Sequence, residues 1–231
     1  MAQGCNDGPV AADRYQSFAP VYDLFACEPV YRPGRLAGIA GLGLRPGQTV
    51  VDAGCGTGLN FVHLEAAVGP SGRIVGIDAS PAMLGRARHR IRRNGWTNIH
   101  LVHADLTAVG PAALAGLVHE AAPDVDAVLA TYVLSVARSP AAAWERIVAL
   151  CGPGTRVSVV DMQLPTGAAA ALAPLAALAC RLGGSDPSAH PWTLLEHDSR
   201  DTHASSLRGG HIQVRTGTPN STAPPRGPTT R

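Results

Sequence analysis

Lysine is absent from this chain of 231 residues, so all 19 basic residues are arginine. This absence excludes mechanisms that need a lysine Schiff base or the phosphate-binding lysine of a P-loop. An excess of one charge is also missing, because the formal net charge is only +2. A protein that binds nucleic acid would be expected to carry a strong basic bias. Nucleic acid is therefore not the expected partner.

Cysteine is scarce, and its five residues show no Cys-x-x-Cys pair or other metal-ligand spacing. This pattern predicts reduced thiols in a cytoplasm rather than a disulfide framework. His100 and His103 are three residues apart in an apolar strand, where alternation directs them to opposite faces, so they cannot readily share a metal. We expect no metal site. The cysteines are Cys5, Cys27, Cys55, Cys151 and Cys180.

Long apolar runs are missing as well. The longest, from Ala168 to Cys180, is too short to span a bilayer and is broken by Pro174. The first residues, MAQGCNDGPVAADRYQ, do not show the basic and then apolar pattern of a secretory signal. We therefore expect a cytoplasmic protein without a transmembrane segment. Five arginines between positions 86 and 93 are interpreted as an exposed helix face, and contact with an anionic membrane surface is the alternative.

The most informative stretch is Val50 to Gly58, which reads VVDAGCGTG. An apolar, β-branched strand runs into a loop with glycine at positions 54, 56 and 58, and a segment with helical apolar spacing follows. Glycine lets the main chain approach a ligand because it has no side chain. Strand, loop and helix predict the first half of a βαβ unit, in which ligands bind at the carboxyl ends of the strands.

The spacing of these glycines argues against a dinucleotide site. The dinucleotide fingerprint is Gly-x-Gly-x-x-Gly, but Leu59 occupies the third glycine position here. Asp52 stands two residues before Gly54, and its carboxylate would repel a diphosphate and attract a cationic ligand. A nicotinamide-dependent oxidoreductase is therefore a weaker alternative.

The loop resembles the first motif of the class I S-adenosylmethionine-dependent methyltransferases. In that family the loop packs on the cofactor, which implies contacts from Gly54, Gly56 and Gly58, with Asp52 near the aminoacyl end. The string FAPVYD, at residues 18–23, is similar to the N-terminal segment of menaquinone-biosynthesis and phospholipid N-methyltransferase enzymes. That likeness implies a lid whose Tyr22 approaches the cofactor; a helix pair with aromatic anchors on one sheet edge is the alternative.

Two further acids follow the next two apolar strands. Asp78 ends the strand RIVGID and can accept both hydroxyls of a ribose. Asp105 follows the strand NIHLVH, where the resembled family places an acid against the adenine amino group. A single such acid could equally be a loop residue or a helix cap, but three in this order favour a cofactor site. The expected cofactor-binding set is completed by Ala79, Met83, Leu106 and Thr131.

These elements predict an α/β fold, a Rossmann-like doubly wound and mostly parallel sheet with a C-terminal antiparallel strand. We expect a disordered N-terminus at 1–11, a single domain over 12–215 and a disordered tail at 216–231. Within the domain the expected parts are lid helices at 12–45, a cofactor-binding core at 48–161, and the substrate side with the final strands at 162–215. The substrate side includes a helix from Ala168 to Arg181, interrupted or kinked at Pro174, and a last strand from His211 to Val214.

The resemblance implies in-line transfer of a methyl group from S-adenosylmethionine to a small-molecule or lipid-like acceptor. A non-catalytic relative that only binds the cofactor is the other alternative. The string after the fourth strand, Ala130 to Val133, differs from the Asn-Pro-Pro-Tyr of adenine and glutamine N-methyltransferases, which disfavours nucleic-acid methylation. Tyr132, Asp161 and His211 could each reach the site, but the pattern does not identify a catalytic base, the methyl acceptor or the oligomeric state.

Overall fold

The computed structural model describes residues 28–121 and 124–220. In these residues one seven-stranded sheet has the order β3-β2-β1-β4-β5-β7-β6. The first five strands along the chain are parallel, β7 is antiparallel to β5, and β6 is antiparallel to β7. This arrangement confirms the predicted fold class. The strands are β1 Thr49–Ala53, β2 Arg73–Asp78, β3 Ile99–His103, β4 Ala127–Thr131, β5 Arg156–Met162, β6 Ser199–Leu207 and β7 Ile212–Pro219.

Helices cover both faces of this sheet. Two short 3₁₀ helices, Leu134–Val136 and Gly167–Leu172, follow β4 and β5. The α-helices are α1 Glu28–Leu42, α2 Phe61–Val68, α3 Pro81–Asn94, α4 Pro111–Ala121, α5 Pro140–Ala149, α6 Ala173–Gly183 and α7 Trp192–Asp198. In the described ranges, no helix is long and apolar enough to cross a membrane.

The core forms two layers because neighbouring strand residues point to opposite faces of the sheet. Val50 packs with the buried side chains of α1, α2 and α3, whereas Val51 packs with those of α4, α5 and α7. The side chains of Val50 and Val51 are both fully buried. The near-continuous apolar run of β1 is therefore that of a strand covered on both faces.

Local signals fix the helix that follows β2. The Ser80 hydroxyl accepts the Met83 N–H at 3.3 Å, and Pro81 occupies the first turn, where its missing N–H costs nothing. Gly95 ends the helix in the left-handed conformation. These signals bound the helix at Pro81 and Asn94.

The strand order places a switch point between β1 and β4. From β1 the chain proceeds to β2 and β3 on one side, and then crosses to β4 and β5 on the other. The loops after β1 and β4 consequently diverge, and a crevice opens at the carboxyl ends of these strands. The glycine loop lies in this crevice.

The C-terminal third confirms one sequence prediction and differs from two others. The helix expected from Ala168 to Arg181 is interrupted next to Pro174, which lies in the first turn of α6 after a separate 3₁₀ helix. His211 precedes β7 instead of starting it, since its N–H donates to the Arg208 carbonyl in the turn. The boundary expected at residue 215 is too early: β7 continues to Pro219, with Thr216 and Thr218 buried.

Candidate functional site

A cavity of about 200 Å³ opens where the carboxyl ends of β1, β2, β3 and β4 meet. Its walls come from the glycine loop, the starts of the segments after β2 and β3, and the segment that follows β4. The lining residues are Gly54, Gly56, Ile77, Asp78, Ala79, Ser80, Met83, Ala104, Asp105, Leu106, Thr107, Thr131, Tyr132, Val133, Val136, Ala137, Arg138 and Ala143.

Asp78 connects the glycine loop to the end of β2. Its Oδ2 accepts the Gly56 N–H at 2.8 Å, and its Oδ1 accepts the Ser80 N–H at 2.8 Å. Burial raises the pKa of Asp78, while these two backbone bonds and nearby His103 oppose that rise. A carboxylate has about four acceptor positions, so Asp78 retains capacity for two hydroxyl donors of a ligand.

Asp105 is held by a tight turn after β3. Its Oδ1 accepts both the N–H and the hydroxyl of Thr107, each at 2.7 Å. This Asx-type turn fixes the side chain on the cavity wall. The carboxylate can still accept a donor such as an amino group through its remaining lone pairs.

Asp52 lies behind the cavity wall and is fully buried at the end of β1. The Asn60 amide donates to both of its oxygens, at 3.0 and 3.2 Å, and to the Thr131 hydroxyl at 3.0 Å. Burial raises the pKa of Asp52 to about 7, and the negative charge of Asp78 adds to this rise. The hydrogen bond from Asn60 and the positive charge of Arg35 lower the pKa and so oppose the rise. A cation placed nearby would favour the ionised form.

The glycines of the loop serve different purposes. Gly54 has a φ of 75°, and an added Cβ would lie 2.3 Å from the Val133 side chain. Gly56 has a φ of 54°, but a Cβ there would meet no heavy atom within 4 Å, because this position is open. At Gly58 a Cβ would lie 2.5 Å from the Phe61 ring. Gly58 thus allows α2 to pack close to the loop, whereas Gly56 leaves space beside the cavity.

Most of the residues expected at a cofactor site lie on this one cavity. Asp52 and Gly58 do not line it: the first supports the wall from behind and the second supports helix packing. Tyr22 and the FAPVYD string lie outside the described residues. Those that line the cavity are Gly54, Gly56, Asp78, Ala79, Met83, Asp105, Leu106 and Thr131.

Sequence reasoning missed the wall formed after β4. Val133, Val136 and Ala137 contribute apolar surface there, and Arg138 contributes a cation. These residues lie in and around a short 3₁₀ helix that has no clear periodic pattern. The sequence offered one signal, the position of this segment directly after a buried strand.

The three residues considered as bases occupy different environments. Asp161 is fully buried, and its oxygens accept the backbone N–H groups of Ser135 and Met162 at 3.0 and 2.9 Å. Burial raises its pKa to about 6. His211 is buried between the Gln163 carbonyl and the Tyr31 hydroxyl. Of the three, Tyr132 alone lines the cavity.

Comparison with known proteins agrees with this geometry. Residues 51–157 match the family model of a methyltransferase domain. The matched methyltransferase region runs from β1 into β5 and includes the glycine loop and both cavity acids. Arsenite methyltransferase of Halobacterium salinarum is 26% identical over 119 residues, which is 52% of this chain. Demethylmenaquinone methyltransferase of Shouchella clausii is 36% identical over 66 residues, or 29% of this chain. Each match spans 28% of the relative's own length.

A solved structure shows the same fold over nearly the whole chain. The SAM-dependent methyltransferase from Aquifex aeolicus superposes with a TM-score of 0.58 and 15% identity, covering 89% of this chain and 97% of that one. The fold is that of the class I S-adenosylmethionine-dependent methyltransferases, and the cofactor that these matches imply is S-adenosylmethionine. The donor set fits that cofactor, because Asp78 and Asp105 can accept hydroxyl and amino protons, and Gly54 and Gly56 expose main chain between them.

Proposed function

We propose that this chain is an S-adenosylmethionine-dependent methyltransferase that transfers a methyl group to a small-molecule or lipid-like acceptor. The observation that carries the proposal is the convergence of Asp78, Asp105 and the backbone of Gly54 and Gly56 on one cavity. The order of the two acids along the sheet, on β2 and after β3, matches the order of ribose and adenine in an adenosine. The methyltransferase family model over residues 51–157 supports the same assignment.

Each cavity residue has a role in this proposal. Asp78 accepts the ribose hydroxyls, and Asp105 accepts the adenine amino group. Met83 and Leu106 flank the adenine ring, and Ala79 lies next to the ribose acid. Asp52, held by Asn60, provides negative charge behind the aminoacyl end without touching the cofactor.

S-adenosylmethionine supplies an activated methyl group, so the chain itself must bind, orient and exclude water. A base is required only where the acceptor has to lose a proton. Asp161 is buried and accepts the backbone N–H groups of Ser135 and Met162. These bonds suit a structural role, in which Asp161 links β5 to the segment after β4.

The apolar character of the acceptor side supports a lipid-like acceptor. Val133, Val136 and Ala137 form an apolar wall after β4. The Ser135 carbonyl within that wall accepts the N–H of Asp186, which follows α6. Leu175 and Leu178 of α6 are 67% and 54% exposed, so this helix presents apolar surface to solvent. Demethylmenaquinone methyltransferase, whose name denotes a quinone-type acceptor, is among the similar proteins.

Transfer of a radiolabelled methyl group from S-adenosylmethionine tests the proposal. The acceptor panel contains demethylated quinones, aminophospholipids in mixed micelles, and small amines and phenols. We expect label in an extractable product together with formation of S-adenosylhomocysteine. Asp78→Asn should reduce this transfer at least tenfold, whereas Asp124→Asn, an exposed acid before β4, should leave it unchanged. Cofactor binding without transfer to any acceptor class would instead favour a non-catalytic relative.

A further inference from the structure

Tyr132 is the sole aromatic residue among the described residues that line the cavity. It directly follows β4, next to the switch point between β1 and β4. Its neighbours on the wall are Thr131, which accepts the Asn60 amide, and Val133, which packs over Gly54. Tyr132 therefore borders the same part of the cavity as the glycine loop.

The hydroxyl of Tyr132 already has a hydrogen-bond partner within the protein. It donates to the backbone carbonyl of Tyr31 in α1 at 2.8 Å. Burial raises the pKa of Tyr132 above its ordinary value, so the phenol stays protonated at neutral pH. A protonated phenol is not a base, so it cannot take a proton from a methyl acceptor. A ligand in the cavity consequently meets the ring or the backbone of Tyr132, and not a basic oxygen.

The backbone of Tyr132 adopts a conformation that side-chain-bearing residues rarely use, with a φ of 56°. Its N–H donates to the Val160 carbonyl at 2.8 Å, and its ring contacts that of Tyr31 edge-on, with centroids 5.2 Å apart. Gly34 leaves room for the hydroxyl, because a Cβ there would lie 2.3 Å from it. The surrounding contacts hold a strained residue in place, a pattern that is concentrated at ligand-binding positions.

The sheet order indicates which part of the cofactor lies near Tyr132. In S-adenosylmethionine the adenine, ribose and sulfonium follow one another along the molecule. With the adenine at Asp105 and the ribose at Asp78, the next position along the sheet lies over β1 and β4. Tyr132 directly follows β4, which is the position along the sheet where the sulfonium would be bound.

We propose that the ring of Tyr132 binds the positively charged sulfonium and makes the site prefer S-adenosylmethionine over S-adenosylhomocysteine, the neutral product. A cation is attracted to the electron-rich face of an aromatic ring, whereas the thioether of the product has no such attraction. This inference rests on the proposed function. Its consequence is that transfer of the methyl group weakens the hold on the cofactor and favours product release.

Calorimetric titration with S-adenosylmethionine and S-adenosylhomocysteine tests the inference on the wild type, Tyr132→Leu and Tyr132→Phe. Leucine keeps apolar volume and the backbone strain but removes the ring, so its Kd for S-adenosylmethionine should rise about 2- to 30-fold. Its Kd for S-adenosylhomocysteine should change much less. Phenylalanine keeps the ring, so the ratio of the two Kd values should remain that of the wild type.

Equal weakening of both ligands by Tyr132→Leu, or no change in either, would overturn the role of the ring. Should the leucine variant fail to fold, the wild type decides through its tyrosine ring NMR signals, with Tyr132 assigned from Tyr132→Phe. Those ring signals should shift more with S-adenosylmethionine than with S-adenosylhomocysteine, and equal shifts would contradict the inference. A wild type that binds neither ligand would contradict the proposed function itself.

Discussion

The Oδ2 atom of Asp78 accepts the backbone N–H of Gly56 at 2.8 Å, although 22 residues separate them along the chain. This bond joins the carboxyl end of β2 to the loop after β1. It orients an acid and a bare stretch of main chain toward the same cavity. Substitutions in the glycine loop and at Asp78 can therefore test the stability of the fold and the binding of the cofactor separately.

Alanine substitutions at Gly56 and Gly58, on either side of Thr57, should reduce the stability of the fold by different amounts. Gly56→Ala adds a Cβ in open space and should cost about 1–2 kcal/mol through left-handed backbone strain alone, while weakening cofactor binding. Gly58→Ala adds a Cβ 2.5 Å from the Phe61 ring and should cost about 2–4 kcal/mol. Urea denaturation of both variants gives the comparison. Equal losses of stability would contradict the assignment of Gly58 to helix packing.

Stability should depend on pH through Asp52. Its pKa is raised to about 7 in the folded chain from an ordinary value of 3.8, so the folded chain binds more protons than the unfolded chain between these values. The free energy of unfolding should therefore fall as pH rises from about 4 to 7, by up to about 1.4 kcal/mol per pH unit for this group.

Asp161, whose pKa is raised to about 6, should add a second contribution of the same sign in the lower part of this range. Denaturation of the wild type and Asp52→Asn at several pH values separates the two. The variant should lose the slope nearest pH 7. A slope that is the same in both proteins would show that the buried Asp52 is not the group that titrates.

Replacement by alanine should destabilise the fold at Gly38 in α1 but stabilise it at Gly85 in α3. At Gly38 a Cβ would lie 2.4 Å from a methyl of Val160, a stiff and fully buried β-branched side chain in β5. Gly38→Ala should destabilise the fold by about 1–3 kcal/mol. Gly85 is exposed with no heavy atom within 4 Å of a Cβ, so Gly85→Ala should stabilise by about 0.5–1 kcal/mol. Thermal melts of both variants test this, and stabilisation by Gly38→Ala would contradict the close packing of α1 on the sheet.

The parallel half of the fold could be predicted because its signals are local. Each of β1 and β2 is an apolar run with an acid in its last two positions, and Ser80, Pro81 and Gly95 mark the bounds of α3. The cavity acids were found for the same reason, since the residue after a parallel strand always lies at the same edge of the sheet.

What could not be predicted depends on contacts between distant parts of the chain. The Tyr132 hydroxyl donates a hydrogen bond to the Tyr31 carbonyl, which is 101 positions away in the sequence. The Tyr31 hydroxyl forms a hydrogen bond with His211, which is 180 positions away. The Asn60 amide bridges to Thr131 over 71 residues. No periodicity encodes such pairs. The early boundary at residue 215 has a similar cause, because the Thr-Gly-Thr-Pro end of β7 has turn-forming composition and is extended by pairing with β6.

Calorimetric titration with S-adenosylmethionine tests the central claim most directly, using the wild type, Asp78→Asn and the exposed-acid control Asp124→Asn, with NADH as a second ligand. The account predicts micromolar binding of S-adenosylmethionine by the wild type and by Asp124→Asn. It predicts a loss of at least tenfold in affinity in Asp78→Asn, and no binding of NADH. Binding of NADH in place of S-adenosylmethionine, or affinity for S-adenosylmethionine that is unchanged in Asp78→Asn, would contradict it.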